Sequence, residues 1–156
     1  MNANKLPTNI LIQGQRMAGD GEAEAVINPR TGELLISLPQ ASAEQVDAAV
    51  AAARQAARVW KQTSPGERAA MLLAIAAGID ARAMELAQLE ALNCGKPLHQ
   101  VVEDDVLATA DVFRFFAAAV RCQTAPAAGE YLPGHTSMIR RDPIGVVAAI
   151  APWNYP

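Results

Sequence analysis

Residues Asp142 to Pro156 read D-P-I-G-V-V-A-A-I-A-P-W-N-Y-P. Six consecutive apolar residues, Val146 to Ala151, stand between a turn signal, Asp142-Pro143-Ile144-Gly145, and a proline. A short unbroken apolar run between turn signals is the pattern of a strand covered on both faces, as in a parallel sheet. Pro152 has no N–H to give a ladder, so the strand is predicted to stop there. Pro156 biases Tyr155 away from helix. Between the two prolines sit Trp153, Asn154 and Tyr155. In open α/β sheets, ligands bind at the loop leaving the carboxyl end of a strand. An amide held there between stiff residues is suited to donate a hydrogen bond to a developing oxyanion. The same spacing also fits a buried strand followed by an ordinary proline-rich loop.

Upstream, the pattern is first hairpin-like and then helical. Ile10-Leu11-Ile12 and Gln15-Arg16-Met17 flank a bend at Gln13-Gly14, and Ala25-Val26-Ile27 and Leu34 to Leu38 flank Asn28-Pro29-Arg30-Thr31-Gly32. Proline with glycine at that spacing is a strong turn signal. Ser42 and Gln45 have capping-box spacing, followed by an apolar stripe at Val46, Ala49, Val50, Ala53, Ala57 and Trp60. Ser64, Pro65 and Glu67 combine two helix-start signals, with Leu72, Ile75, Ala76 and Ile79 as the stripe. A bend is predicted near Gly78–Asp80 and a stop at Gly95 and Pro97. A third long helix is predicted from about His99 to Cys122, with Val102, Val106, Phe113, Phe116 and Val120 inward. Glu130–Leu132 and Thr136–Arg141 flank Pro133-Gly134, the central pair of a type II turn.

Composition bounds the function classes. The 156 residues are 51% hydrophobic and 19% charged, which fits a globular soluble domain. A net charge of -3 and a pI near 5.3 argue against nucleic acid or an anionic membrane as partner. No run approaches the ~18 apolar residues of a membrane span. The start, M-N-A-N-K-L-P-T-N, lacks the apolar core of a signal peptide. Two cysteines without a secretory signal point to free thiols and a cytoplasmic location. Tyr155-Pro156 directly after a buried-looking strand is an unusual terminus, and the expectation is a truncated reading frame or a fragment.

G-V-V-A-A-I-A-P-W-N-Y-P closely resembles the Pro-Trp-Asn-(Phe/Tyr)-Pro signature of the NAD(P)-dependent aldehyde dehydrogenases. The resemblance runs from I-N-P-R-T-G onward and includes N-C-G-K-P at Asn93–Pro97. N-C-G-K-P-L-H, D-V-F-R-F-F-A and A-A-G-E-Y-L-P-G-H-T-S-M-I-R-R-D-P look most like the γ-aminobutyraldehyde (4-aminobutanal) dehydrogenases. The resemblance implies the N-terminal portion of an α/β fold. It would comprise β-hairpins and long helices of the NAD-binding domain in residues 1–123, and an oligomerisation β-ribbon in 124–143. The first strand and oxyanion loop of a Rossmann-like parallel sheet would follow in 144–156. It further implies that Asn154 is the oxyanion donor. Ile150, Ala151, Pro152 and Trp153 would lie along the nicotinamide side of NAD, and Tyr155 would line the aldehyde tunnel. The partners implied are an aldehyde and further copies of the chain. The family's ribose-binding lysine motif, glycine-rich turn, glutamate base and nucleophilic cysteine have no counterpart in these residues, so the chain alone is expected to be inactive. The rival reading is a non-catalytic product acting only by association with itself or a full-length relative.

Cys94 and Cys122 sit near predicted helix C-termini, where the dipole opposes a thiolate, and neither matches the family nucleophile. They are read as structural. His99 and His135 are too far apart for a local metal motif. Glu103, Asp104, Asp105 and Asp111 form an acidic group, and Asp104 and Asp111, seven apart, share a face of a regular helix. In related aminoaldehyde enzymes, acids on this helix look toward the substrate entrance and would attract an ammonium; a solvated helix face fits the pattern too. Many relatives bind a monovalent cation through an aspartate and a backbone carbonyl. The matching residues here are Asn93 and Ile27, so the site lacks its charge.

Overall fold

The computed structural model describes residues 6, 8–123 and 128–151. Among these residues the strands form three separate antiparallel hairpins. β1 (Asn9–Ile12) and β2 (Gln15–Ala18) are joined through Gln13 and Gly14, both at positive φ (52° and 76°). That two-residue turn has the twist a hairpin requires. β3 (Ala23–Ile27) and β4 (Leu34–Pro39) enclose the Asn28–Gly32 turn. There Asn28 Oδ1 accepts the Arg30 N–H at 2.9 Å, and the Gly32 N–H donates to the Asn28 carbonyl at 2.8 Å. Gly19 lies against the carbonyls of Pro39 and Gln40, with no room for a Cβ.

α1 (Ala43–Trp60) and α2 (Pro65–Ala81) start at full capping boxes on Ser42 and Ser64. The predicted bend falls at Arg82, just beyond Gly78–Asp80. There α3 (Ala83–Cys94) begins and runs to Gly95, which ends it at φ 77°. The third helix comes in pieces: a single turn, α4 (Leu98–Gln100), a wide π turn (Val101–Val106), and α5 (Leu107–Cys122). α2 packs along α5, with Ala69 and Ala76 buried on one and Ala110 and Ala117 on the other. A second small core gathers Ala87 of α3 with Val101 and Val106 of the π turn. Phe116, expected inward, is 55% exposed, because Ala110 and Ala117 occupy the line facing α2. β5 (Gly129–Leu132) and β6 (His135–Ser137) pair across Pro133-Gly134, with Gly134 at φ 74°. Residues 138–141, expected to extend β6, lie in no ladder.

The largest correction concerns Val146–Ala151. It lies in neither strand nor helix, and no parallel sheet is present among the described residues. A strand exists through its ladder, and each hairpin here satisfies only itself. The apolar run lies instead beside α1: Val146, Val147 and Ala148 line a groove of about 340 Å³ with Ile10, Ile12 and Val50. The contact is shallow: every residue of the run stays exposed, Val147 at 71%. Val46 and Trp60 of the α1 stripe are also about half exposed. α2 carries apolar residues all round, and Met71, Leu73 and Ile75 are exposed. Such a helix belongs in surroundings that cover it on more than one side.

Candidate functional site

The candidate site begins where the apolar run leaves α1. Gly145, at φ 116°, turns the chain onto the groove. Ile150 is 89% exposed and Ala151 is exposed. Together they present uncovered apolar surface. Pro152, Trp153, Asn154 and Tyr155 lie outside the described residues.

One side chain fixes the frame beneath this run, and sequence spacing showed only half of its work. Gln45 completes the Ser42 capping box, but its amide also reaches across 25 and 27 residues. Its Oε1 accepts from the backbone N–H groups of Asp20 and Ser42, both at 3.0 Å, and its Nε2 donates to the Ala18 carbonyl at 2.9 Å. A buried amide with its oxygen doubly satisfied pins the β1–β2 hairpin to the start of α1. A glutamine at the third helical position signals the cap, but nothing local signals the hairpin contact.

The acidic group is divided by the fold. Asp105 is largely buried and both its oxygens accept from Lys96 Nζ, at 2.8 and 2.7 Å. Glu103, Asp104 and Asp111 are exposed. Seven-residue spacing aligns Asp104 with Asp111 only where every turn is α-helical. The wide turn between them displaces Asp104 from that line. On α2 and α5, Asp80 pairs with Arg114.

The ends of α3 and of the β3–β4 hairpin meet. Asn93 and Val26 line one cavity, and a Cβ on Gly95 would come within 2.9 Å of Pro29 Cγ. Ile27, the other cation candidate, is 46% exposed on β3. Among the described residues, no group of three or more His, Cys, Asp or Glu side chains is placed to hold a metal ion. Cys94 and Cys122 are the last residues of α3 and α5, and both thiols are free. His135 Nδ1 lies 3.0 Å from the Pro133 carbonyl, a local turn contact. No helix among the described residues is long and apolar enough to cross a membrane.

Comparison with known proteins decides what these pieces belong to. The pattern defining the aldehyde dehydrogenase family matches residues 17–156. The chain belongs to the aldehyde dehydrogenase family. It is 38% identical to an aminoacetaldehyde dehydrogenase of Pseudomonas aeruginosa over 97% of this chain and 31% of that protein. The fold is similar to an indole-3-acetaldehyde dehydrogenase of P. syringae, solved as a point mutant with NAD+ and IAA. That match has a TM-score of 0.89 and 31% identity, over 99% of this chain and 32% of the other. A betaine aldehyde dehydrogenase of Staphylococcus aureus in complex with NAD+ matches at a TM-score of 0.90 and 29% identity, over all of this chain and 32% of its own. The chain thus spans about a third of the length of the relatives it matches. The family's NAD-linked aldehyde chemistry agrees with the sequence reading at that level, and the relative named for an aminoaldehyde acts on a different one from 4-aminobutanal.

Proposed function

We propose that these residues form part of an NAD-dependent aldehyde dehydrogenase acting on an ω-aminoaldehyde, 4-aminobutanal or a close homologue, and giving the carboxylic acid. The observation that carries the reading is the family match over residues 17–156, which includes the Pro152–Pro156 motif. The 38% identity to an aminoacetaldehyde dehydrogenase supports an amine-bearing substrate.

In that enzyme a cysteine thiolate attacks the aldehyde carbon, and negative charge develops on the former carbonyl oxygen. The Asn154 amide donates to that oxygen, most strongly in the transition state. Ile150, Ala151, Pro152 and Trp153 form a wall that keeps water from the reacting face and holds the nicotinamide flat. NAD, when bound, supplies the hydride acceptor. Tyr155 shapes the aldehyde's path. Asp104 and Asp111 are exposed carboxylates whose field draws an ammonium-bearing substrate toward the enzyme. Ile27 and Asn93 are the candidate ligands of a monovalent cation. The β5–β6 hairpin serves association between copies. These 156 residues hold the oxyanion donor and part of the cofactor wall; thiolate and base come from elsewhere in the family's chain, so alone they produce no NADH.

A chimera tests this reading. Residues 1–156 replace the corresponding third of the Pseudomonas aeruginosa relative, and NADH formation is followed with 4-aminobutanal, aminoacetaldehyde and butanal. Aminoaldehyde oxidation that falls ~100-fold or more in kcat on Asn154→Ala is the expected result. A folded chimera indifferent to Asn154→Ala, or one preferring butanal, overturns the mechanism or the substrate class respectively. A second reading, association without catalysis, is favoured by the exposed apolar run at Val147 and Ile150.

A further inference from the structure

The helical run from Leu98 to Cys122 contains a turn that takes up one residue too many. The Leu107 N–H reaches back five residues to the Val102 carbonyl, where an α-turn reaches back four. The sequence V-V-E-D-D-V at Val101–Val106 explains why. In an α register Val101 stacks with Asp105, and Val106 turns away from it. A carboxylate would then face the core beside Ala87. In the π register Val101 stacks with Val106, and these two side chains are 0% and 7% exposed against Ala87. Asp105 moves to the flank, where the Lys96 ammonium meets both its oxygens. The Thr109 hydroxyl donates to the Asp105 carbonyl at 2.7 Å.

We infer that the Lys96–Asp105 ion pair is a register lock, holding this helix in its π register against an α register that the same sequence can reach. Lys96 stands on the Gly95–Pro97 loop, which packs on the Asn28–Gly32 turn, so the lock ties the register to the junction of α3 with the β3–β4 hairpin. Two turns of which one is wide span eight residues instead of seven, so Glu103 comes into line with Asp111 and Asp104 moves off it. That last consequence bears on the aminoaldehyde reading; the lock itself stands or falls without it.

The test reads the register directly, on the intact chain. In a His99→Gln background, which removes a neighbouring imidazole, two pairs of histidines are introduced at exposed positions. Glu103→His with Ala108→His is spaced for the π turn, and Asp104→His with Ala108→His for an α-turn. Ni2+ is the probe. The five-apart pair is expected to bind at least about tenfold tighter, because only there is the second imidazole at high effective concentration. Adding Asp105→Val, which lets a valine stack with Val101 in the α register, is expected to reverse the preference. Adding Asp105→Asn, which removes the charge and keeps the shape, is expected to narrow it. Tighter binding by the four-apart pair with Asp105 intact overturns the inference. So does a preference unmoved by both Asp105 changes in chains of unchanged helical signal.

Discussion

Replacing Gln45 by alanine tests the frame beneath the candidate site. Three backbone groups lose their partner: the N–H groups of Asp20 and Ser42, and the carbonyl of Ala18. An intramolecular hydrogen bond contributes ~1 kcal/mol net, and an orphaned buried group costs somewhat more. Asp20 and Ala18 are exposed enough for water to take over in part, whereas the glutamine itself is 9% exposed. Alanine's better helix propensity returns only a few tenths of a kcal/mol. The balance is a loss of about 2–3 kcal/mol, a large share of the ~5–15 kcal/mol that holds a domain. With a urea dependence of ~1–3 kcal/mol per molar, the midpoint falls by about 1–2 M. Urea unfolding followed by helical circular dichroism measures it. Ser42→Ala is the control, because it removes the cap bond from the Gln45 N–H at 3.3 Å, at a cost of about 1 kcal/mol, and leaves the Gln45 side chain's bonds to Asp20 and Ala18 in place. If Gln45→Ala costs no more than Ser42→Ala, the hairpin contact contributes nothing and the reasoning fails.

Gly95→Ala forces a side chain into a left-handed backbone and against the Pro29 ring; a loss of at least ~1–2 kcal/mol in the same urea assay is expected. Val147→Lys places a charge on the exposed apolar run and is expected to lower self-association, read by light scattering across a concentration series; an unchanged mass distribution shows that the run takes no part. The Ser64 backbone N–H, and then its hydroxyl, hold the Glu67 carboxyl below its usual value. A depressed carboxyl pKa contributes stability at neutral pH that is lost as pH falls through the folded-state value. Glu67→Gln is therefore expected to flatten the acid limb of the stability–pH profile and leave its neutral shape alone.

The parts of this fold that were legible in the sequence are those whose cause is local. Ser42 with Gln45, Ser64 with Pro65 and Glu67, and Gly95 before Pro97 each act within one helical turn, and each forms as read. Gln13-Gly14 and Asn28–Gly32 do the same for the hairpins. Three features depend on partners distant in the chain, and spacing did not resolve them. The hairpin contacts of Gln45 need Ala18 and Asp20 brought within reach. The wide turn is a contest between burying Val106 and burying Asp105, decided by Ala87 and Lys96. Its one local signal is a pair of valines five apart with three acids between them, and a 3.6-residue template passes over it. The apolar run Val146–Ala151 has the composition of a strand, but a ladder needs a neighbour, and composition cannot supply one. The same limit holds for the site: the family motif is legible letter by letter, whereas the exposure of Ile150 and the division of the acidic group come only with packing.

The seam between α2 and α5 is made of methyl groups. Ala69, Ala76, Ala110 and Ala117 have no side-chain rotamers to freeze, so docking the two helices costs almost nothing in side-chain entropy. It also gains little, since each methyl buries a small area. Such a contact behaves as a gauge more than as glue: it sets how near the two backbones stand and leaves the binding strength to be supplied by larger side chains around it. Leu72 and Phe116, which flank the seam and share a groove, are the first of these, and Phe116 still has more than half its surface to offer. A helix pair spaced by alanines and rimmed by uncovered aromatics holds its geometry in readiness while its main adhesive surface stays available for a further layer of protein.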